Sequence, residues 1–226
     1  MKKALPIGIT DYQELKSENY YAVDKTMMIY DFLKAQTKVT LITRPRRFGK
    51  TLNMSMMAEF FDITKDSKEI FKDTKIMETK YAAYLNQYPV IYLSFAGAKG
   101  SRYEIVKQIK LKIRDIYDRY EFIFTKLSRF KEDEYHKVVL SLMGIEDERL
   151  DNATNSLSFL MEQMQKYYNK KVMVFIDEYD TPFIEAHAGG FYDDIRQSLS
   201  SLLHNALKTS NSLQYGMLTG IQRVAK

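Results

Sequence analysis

The chain has 226 residues, 45% hydrophobic and 28% charged, a composition that supports a packed core of α/β-domain size and argues against disorder over most of its length. It contains no cysteine, which excludes a disulfide framework, a thiolate nucleophile and a Cys-rich zinc site. The net charge of +5 would suit a nucleic-acid partner if it were spread over a face, but Arg44, Arg46, Arg47 and Lys50 supply four positive charges within one short segment.

Residues 1–8 carry two lysines and no signal-peptide apolar stretch, and no apolar run approaches the roughly 20 residues that span a bilayer. The expectation is a cytoplasmic protein without a membrane partner. A helix is expected over residues 25–34, where Met28, Phe32 and Leu33 share one face and Asp24 stands as N-cap. Residues 38–43 are short, β-branched and apolar, and they run into Arg44-Pro45, so they read as a strand ending in a loop. From Lys50 the apolar residues Leu52, Met56, Met57, Phe60 and Phe61 recur at helical spacing.

A second strand is expected over 89–95. After Gly97 and Gly100 comes a long helix carrying Val106, Ile109, Ile113, Ile116 and Tyr120. Its basic residues Lys107, Lys110, Lys112 and Arg114 read as a solvated face. Residues 121–154 are charged and less regular, and they are assigned to helices forming an insertion over the sheet. A helix over 156–168 leads to an apolar strand, 171–176, of the kind buried on both faces, which ends in Asp177-Glu178. A helix over 193–207 and a strand over 213–219, ending at Gly220, complete the chain.

Strands alternating with helices imply an α/β fold with a mostly parallel sheet covered on both sides and ligands at the carboxyl ends of the strands. Arg44, Asp177 and Thr219 all stand at such ends. One domain, 1–226, is expected: an N-terminal segment and helix (1–37), a phosphate-loop half (38–120), the insertion (121–154) and a last half with two strands (155–226).

Arg44-Pro-Arg-Arg-Phe-Gly-Lys-Thr51 matches the pattern G-x-x-x-x-G-K-[ST] at Gly49, Lys50 and Thr51, with Arg44 in place of the first glycine. Backbone N–H groups at a helix start point at anionic oxygens, Lys50 reaches terminal phosphates and the Thr51 hydroxyl ligates magnesium. The cofactor-binding candidates are Arg44, Pro45, Arg46, Arg47, Phe48, Gly49, Lys50, Thr51 and Leu52. A magnesium–ATP site also needs a carboxylate at the tip of a buried strand and a base to orient water. Asp177 is assigned to the metal with Thr51, and Glu178 to the base. The catalytic candidates are Glu178, Lys50, Thr219 and Arg223, the last two standing to contact the attacking water or the γ-phosphate. For Thr219 the competing reading is a hydroxyl capping the strand end, and for Arg223 a surface ion pair. His136, His187 and His204 have no ligand spacing and read as structural or exposed. The Tyr20-Tyr21 pair reads as core, with a flank for adenine as the other option.

Five segments taken together, Leu5-Pro-Ile-Gly8, Tyr21-Ala-Val-Asp-Lys-Thr26, Arg44-Pro-Arg-Arg-Phe-Gly-Lys-Thr51, Ile176-Asp-Glu-Tyr-Asp-Thr-Pro182 and Leu218-Thr-Gly-Ile-Gln-Arg223, resemble the successive signatures of the bacterial AAA-ATPase-like family. That family itself carries Arg-Pro-Arg-Arg-Phe where the general motif has its first glycine. The resemblance implies a P-loop NTPase three-layer sandwich with an extra strand between the phosphate loop and the metal-binding carboxylate. It further implies ATP and Mg2+ as cofactors, and a C-terminal nuclease-like domain of the PD-(D/E)XK kind in the full-length protein. Measured against such proteins, a chain stopping at Lys226 corresponds to a C-terminally truncated core. Two functions follow: an ATPase driving an effector domain, or a nucleotide-binding switch that holds ATP without turnover. Nucleic-acid binding rests on the net basicity alone, and the oligomeric state is not legible.

Overall fold

Alternate residues of one six-residue strand feed two different cores, and the architecture is built on that alternation. The computed structural model describes residues 3–125, 127–144 and 149–224. Its strands are β1 (Val39–Thr43), β2 (Val90–Ser94), β3 (Val172–Asp177) and β4 (Leu213–Gly220). They form one sheet in the order β1-β4-β3-β2 with every pairing parallel. The last strand in sequence is therefore inserted between the strand that precedes the basic loop and the strand that ends in Asp177. The register is level at the carboxyl ends: Ile42 lies opposite Thr219, Leu218 opposite Ile176, and Asp177 opposite Ser94.

The α-helices are α1 (Tyr12–Ser17), α2 (Met27–Ala35), α3 (Lys50–Phe61), α4 (Lys68–Phe71), α5 (Arg102–Arg119), α6 (Arg129–Met143), α7 (Ser156–Tyr168), α8 (Thr181–Ala188) and α9 (Tyr192–His204). Every residue of β3 is buried. Met173 and Phe175 face a core shared with Phe32, Phe60 and Phe61 from α2 and α3, whereas Val172, Val174 and Ile176 face one shared with α5, α7 and α9. Sheet between two helical layers is the three-layer α/β arrangement, and a strand buried on both faces needs the unbroken apolar run that β3 has. The first core is rich in rings: Phe61 lies 5.1 Å from Phe60 and 6.0 Å from Phe175 between centroids. Each such pair adds about 0.5–1.5 kcal/mol beyond the area it buries.

Several elements start or end where local chemistry dictates. α5 begins at Arg102, earlier than its apolar stripe, because Ser101 and Glu104 close a reciprocal capping box. α9 continues as a π turn over Asn205–Thr209. The short helices α1, α4 and α8 carry too few turns for a periodic signal and were not expected from the sequence.

Two expectations are corrected. Asp24 is not the N-cap of α2, since the helix starts at Met27 after Thr26. The Asp24 carboxylate instead accepts from the amides of Thr26 (2.8 Å) and Lys75 (2.9 Å). Burial opposes its ionisation, but those amides outweigh burial and hold the carboxyl below its ordinary range. Lys110 does not belong to a solvated face: it is buried, and its ammonium donates to the Gly144 carbonyl at 2.9 Å. That bond ties the end of α6 to α5, on which α6 packs. Within the expected insertion, residues 126 and 145–148 lie outside the described residues. His136, His187 and His204 are exposed. Among the described residues no helix is long and apolar enough to cross a membrane.

Candidate functional site

Pro45 cannot extend the β1 ladder, so the chain leaves the sheet and curls over residues 44–49 before α3 begins. Two residues of the curl adopt left-handed backbone, Arg47 at φ 68 and Gly49 at φ 72. Glycine takes that conformation freely, while at Arg47 it stores strain on the order of 1–3 kcal/mol. Residues 46 and 47 form a turn within the curl. A curl of this kind ahead of a twelve-residue helix is an arrangement in which backbone amides can receive an anion. The Lys50 ammonium closes the loop on itself, donating to the carbonyls of Arg44 (2.9 Å) and Pro45 (3.0 Å).

One residue further on, the Thr51 hydroxyl donates to Asp177 Oδ2 at 2.7 Å. The other oxygen of that carboxylate accepts from the Thr219 hydroxyl. Asp177 is fully buried at the tip of β3, so its charge is satisfied by one hydroxyl from α3 and one from β4. A carboxylate beside a hydroxyl is an oxygen donor set that suits a small hard cation, which would draw its remaining ligands from water and phosphate. The residues present therefore fit magnesium. Among the described residues no group of three or more His, Cys, Asp or Glu is arranged to hold a metal by protein ligands alone.

The other candidates are placed differently. Glu178 has left-handed backbone (φ 50), and its carboxylate accepts from the Thr181 hydroxyl at 3.0 Å, at the start of α8. The structure thus joins it to its own following helix and not to the Thr51–Asp177–Thr219 cluster. Arg223 is exposed; burial raises the nearby Tyr179 phenol above its ordinary range and the Arg223 charge opposes that rise. Arg44, Phe48, Lys50 and Thr219 share a cleft of about 160 Å³ with Met28 and Asn53. A larger cavity, about 760 Å³, lies between α8, α9 and the chain after β4, away from the loop. Pro45 and Arg46 belong to the loop and Leu52 to α3, and none of the three lines the cleft. Tyr20 packs against the ring-rich core and Tyr21 is exposed.

Asp180 escaped sequence reasoning, although three residues after Asp177 it shares the same acidic turn. It is buried, and one carboxylate oxygen accepts from the consecutive amides of Ile221 (2.8 Å) and Gln222 (2.9 Å). Two successive N–H groups gripping a carboxylate form a small anion nest. Its other oxygen has no hydrogen-bond partner among the described residues and faces Gly220, where an added Cβ would stand 2.6 Å from it. Tyr179 reinforces the junction: its hydroxyl donates to the Gln222 carbonyl at 3.2 Å and accepts from the Val224 amide at 3.0 Å. The segment that follows Thr219 is in this way locked to the exit of β3. Gly220→Ala is expected to push Asp180 off its nest and to cost about 1–3 kcal/mol, the usual penalty of overpacking. Urea unfolding checks this, and an unchanged midpoint would refute the tight junction.

The sequence profile of the family AAA-ATPase_like, described as "Predicted AAA-ATPase", matches residues 6–226. A protein from Azotobacter chroococcum mcd 1, named "Uncharacterized protein in vnfD 5'region", is 26% identical over 228 residues. That alignment takes in 100% of this chain and 38% of the relative, so the chain spans well under half the relative's length. No solved structure matches the chain.

Proposed function

Because the chain belongs to the AAA-ATPase-like family of predicted AAA-ATPases, we propose that it binds ATP with magnesium at the carboxyl ends of β1, β4 and β3 and hydrolyses it to drive an effector domain elsewhere in a longer protein. The observation that carries this reading is the Asp177 carboxylate, held between Thr219 and Thr51, the residue that follows the loop lysine.

The residues divide the work by their chemistry. The backbone amides of residues 46–49 receive phosphate oxygens, and Lys50 exchanges two carbonyl acceptors for anionic ones, a gain in charge-assisted bonding. Thr51 and Asp177 hold the cation, Thr51 by its hydroxyl oxygen and Asp177 by its carboxylate. Magnesium, when bound, neutralises charge on the phosphates. Thr219 keeps its place beside Asp177 and offers a hydroxyl toward the terminal phosphate. Glu178 orients water as general base once it leaves Thr181, and Arg223 adds positive charge from the segment that Asp180 and Tyr179 anchor.

One observation favours a second reading, a nucleotide-binding switch without turnover. The Glu178 carboxylate is engaged by the Thr181 hydroxyl at the start of α8. Calorimetric titration with ATP, with and without magnesium, tests the shared part of both readings. Saturable, magnesium-strengthened binding supports it, and no binding in either condition overturns it. Phosphate release over many turnovers then separates enzyme from switch.

A further inference from the structure

In a parallel sheet the amino ends of all strands share one edge, opposite the edge that carries the phosphate loop. At that edge the chain gathers tyrosines. Tyr30, Tyr81, Tyr84 and Tyr88 form an unbroken file, with centroids 5.3 Å, 5.8 Å and 5.8 Å apart in turn. Tyr81 and Tyr84 belong to the 3-10 turn Lys80–Tyr84, which leads to Tyr88 and β2. All four rings are only partly buried.

Lysines lie along the file. The ammonium of Lys34 stands 5.5 Å from the Tyr30 ring, that of Lys80 5.2 Å from Tyr81 and that of Lys170 5.8 Å from Tyr88. Lys38 and Lys171 immediately precede β1 and β3 at the same edge. Burial and the Lys171 charge hold the Lys38 ammonium below its ordinary range, a sign that two cations have been brought close. None of these five lysines is ion-paired with a carboxylate among the described residues; Lys38 donates to the Leu213 carbonyl and Lys170 to Gln87 Oε1 at 3.0 Å, both neutral acceptors.

We propose that this face, the tyrosine file with five lysines that no carboxylate neutralises among the described residues, binds single-stranded nucleic acid at the amino edge of the sheet. A single strand offers the two things the face is built to accept: phosphates for ammonium groups that no carboxylate neutralises, and bases that stack on the uncovered parts of the aromatic rings. A protein partner fits less well, because lysine is depleted from the cores of protein interfaces even where tyrosine is enriched. A duplex hides its base faces and leaves the rings unused. The site is independent of the phosphate loop in position and in chemistry.

The test is fluorescence anisotropy of a labelled 20-residue oligothymidylate with the full chain at several salt concentrations. The triple variant Lys80→Ala, Lys170→Ala, Lys171→Ala is expected to bind at least about 10-fold more weakly. Its salt slope should fall by roughly two, since each lost phosphate contact with a single strand is worth about 0.7. Restoring charge with arginine at the three positions should restore most of the affinity. Arg46→Ala with Arg47→Ala should leave oligonucleotide binding unchanged. No binding by the wild type, equal binding by the triple variant, loss only in the loop variant, or a duplex that binds as tightly as the single strand would each overturn the proposal. The ATP titration of the triple variant should match wild type, which keeps this outcome separate from the fate of the ATP site.

Discussion

Lys50→Ala is expected to weaken ATP binding by about 2–5 kcal/mol, roughly 30-fold to several-thousand-fold, while the fold persists. The range is that for truncating one partner of a desolvated, hydrogen-bonded charge pair. The fold should survive because the partners of Lys50 in the structure are two loop carbonyls, Arg44 and Pro45, in a region open to solvent. Water can replace the ammonium at both. α3 retains the contacts of Met54, Met56, Met57, Phe60 and Phe61, which carry its packing and lie one to three turns further along. Calorimetry for affinity and urea unfolding for stability separate the two effects. A variant that binds ATP as wild type does would remove the phosphate-loop assignment. A variant that loses affinity together with its unfolding transition would leave Lys50 as a structural residue.

Glu178→Gln is expected to lower multiple-turnover phosphate release by about 10²–10⁴-fold with ATP affinity retained, the usual contribution of a positioned general base. The substitution keeps the size of the side chain and an oxygen that can still accept from Thr181, so the local backbone, left-handed at this residue, should be preserved. Asp177→Asn should behave differently. It removes the charge assigned to the cation and disturbs a carboxylate that accepts from Thr51 and Thr219, so magnesium-dependent binding itself should weaken. The measurement belongs on a protein that extends beyond residue 226, because P-loop ATPases often complete their site with an arginine from a lid or a neighbouring subunit. Equal release by wild type and Glu178→Gln would end the catalytic role of Glu178. Release at background from wild type would favour the switch.

Much of this molecule is legible in contiguous residues. The strand over Val39–Thr43, the loop that Pro45 starts and the helix from Lys50 are coded within about two dozen neighbours, by β-branching, proline geometry and a helical apolar stripe. The unbroken apolar run of Val172–Asp177 announces a strand buried on both faces and so implies the layered fold. The same run delivers Asp177 to the edge where Lys50 and Thr51 stand, which is why Asp177 is a candidate from the sequence alone.

What the tertiary structure decided lies between residues far apart in the chain. Thr51 and Asp177 are separated by 126 positions and Thr219 and Asp177 by 42, and only the insertion of β4 between β1 and β3 makes one carboxylate the meeting point of both hydroxyls. The nest that holds Asp180 needs the amides of Ile221 and Gln222 and the missing side chain of Gly220, none of which a turn motif discloses. Asp24 misled for the same reason. Its local pattern suits a helix cap, but α2 starts only at Met27 and the second carboxylate oxygen of Asp24 accepts from the Lys75 amide 51 positions away. The lysines and tyrosines of the amino edge are scattered from residue 30 to residue 171, each unremarkable in its own segment. Local sequence sets backbone preference and burial pattern, because those energies arise between neighbours a few residues apart, whereas the pairing of charges and rings depends on the path of the chain through the sheet.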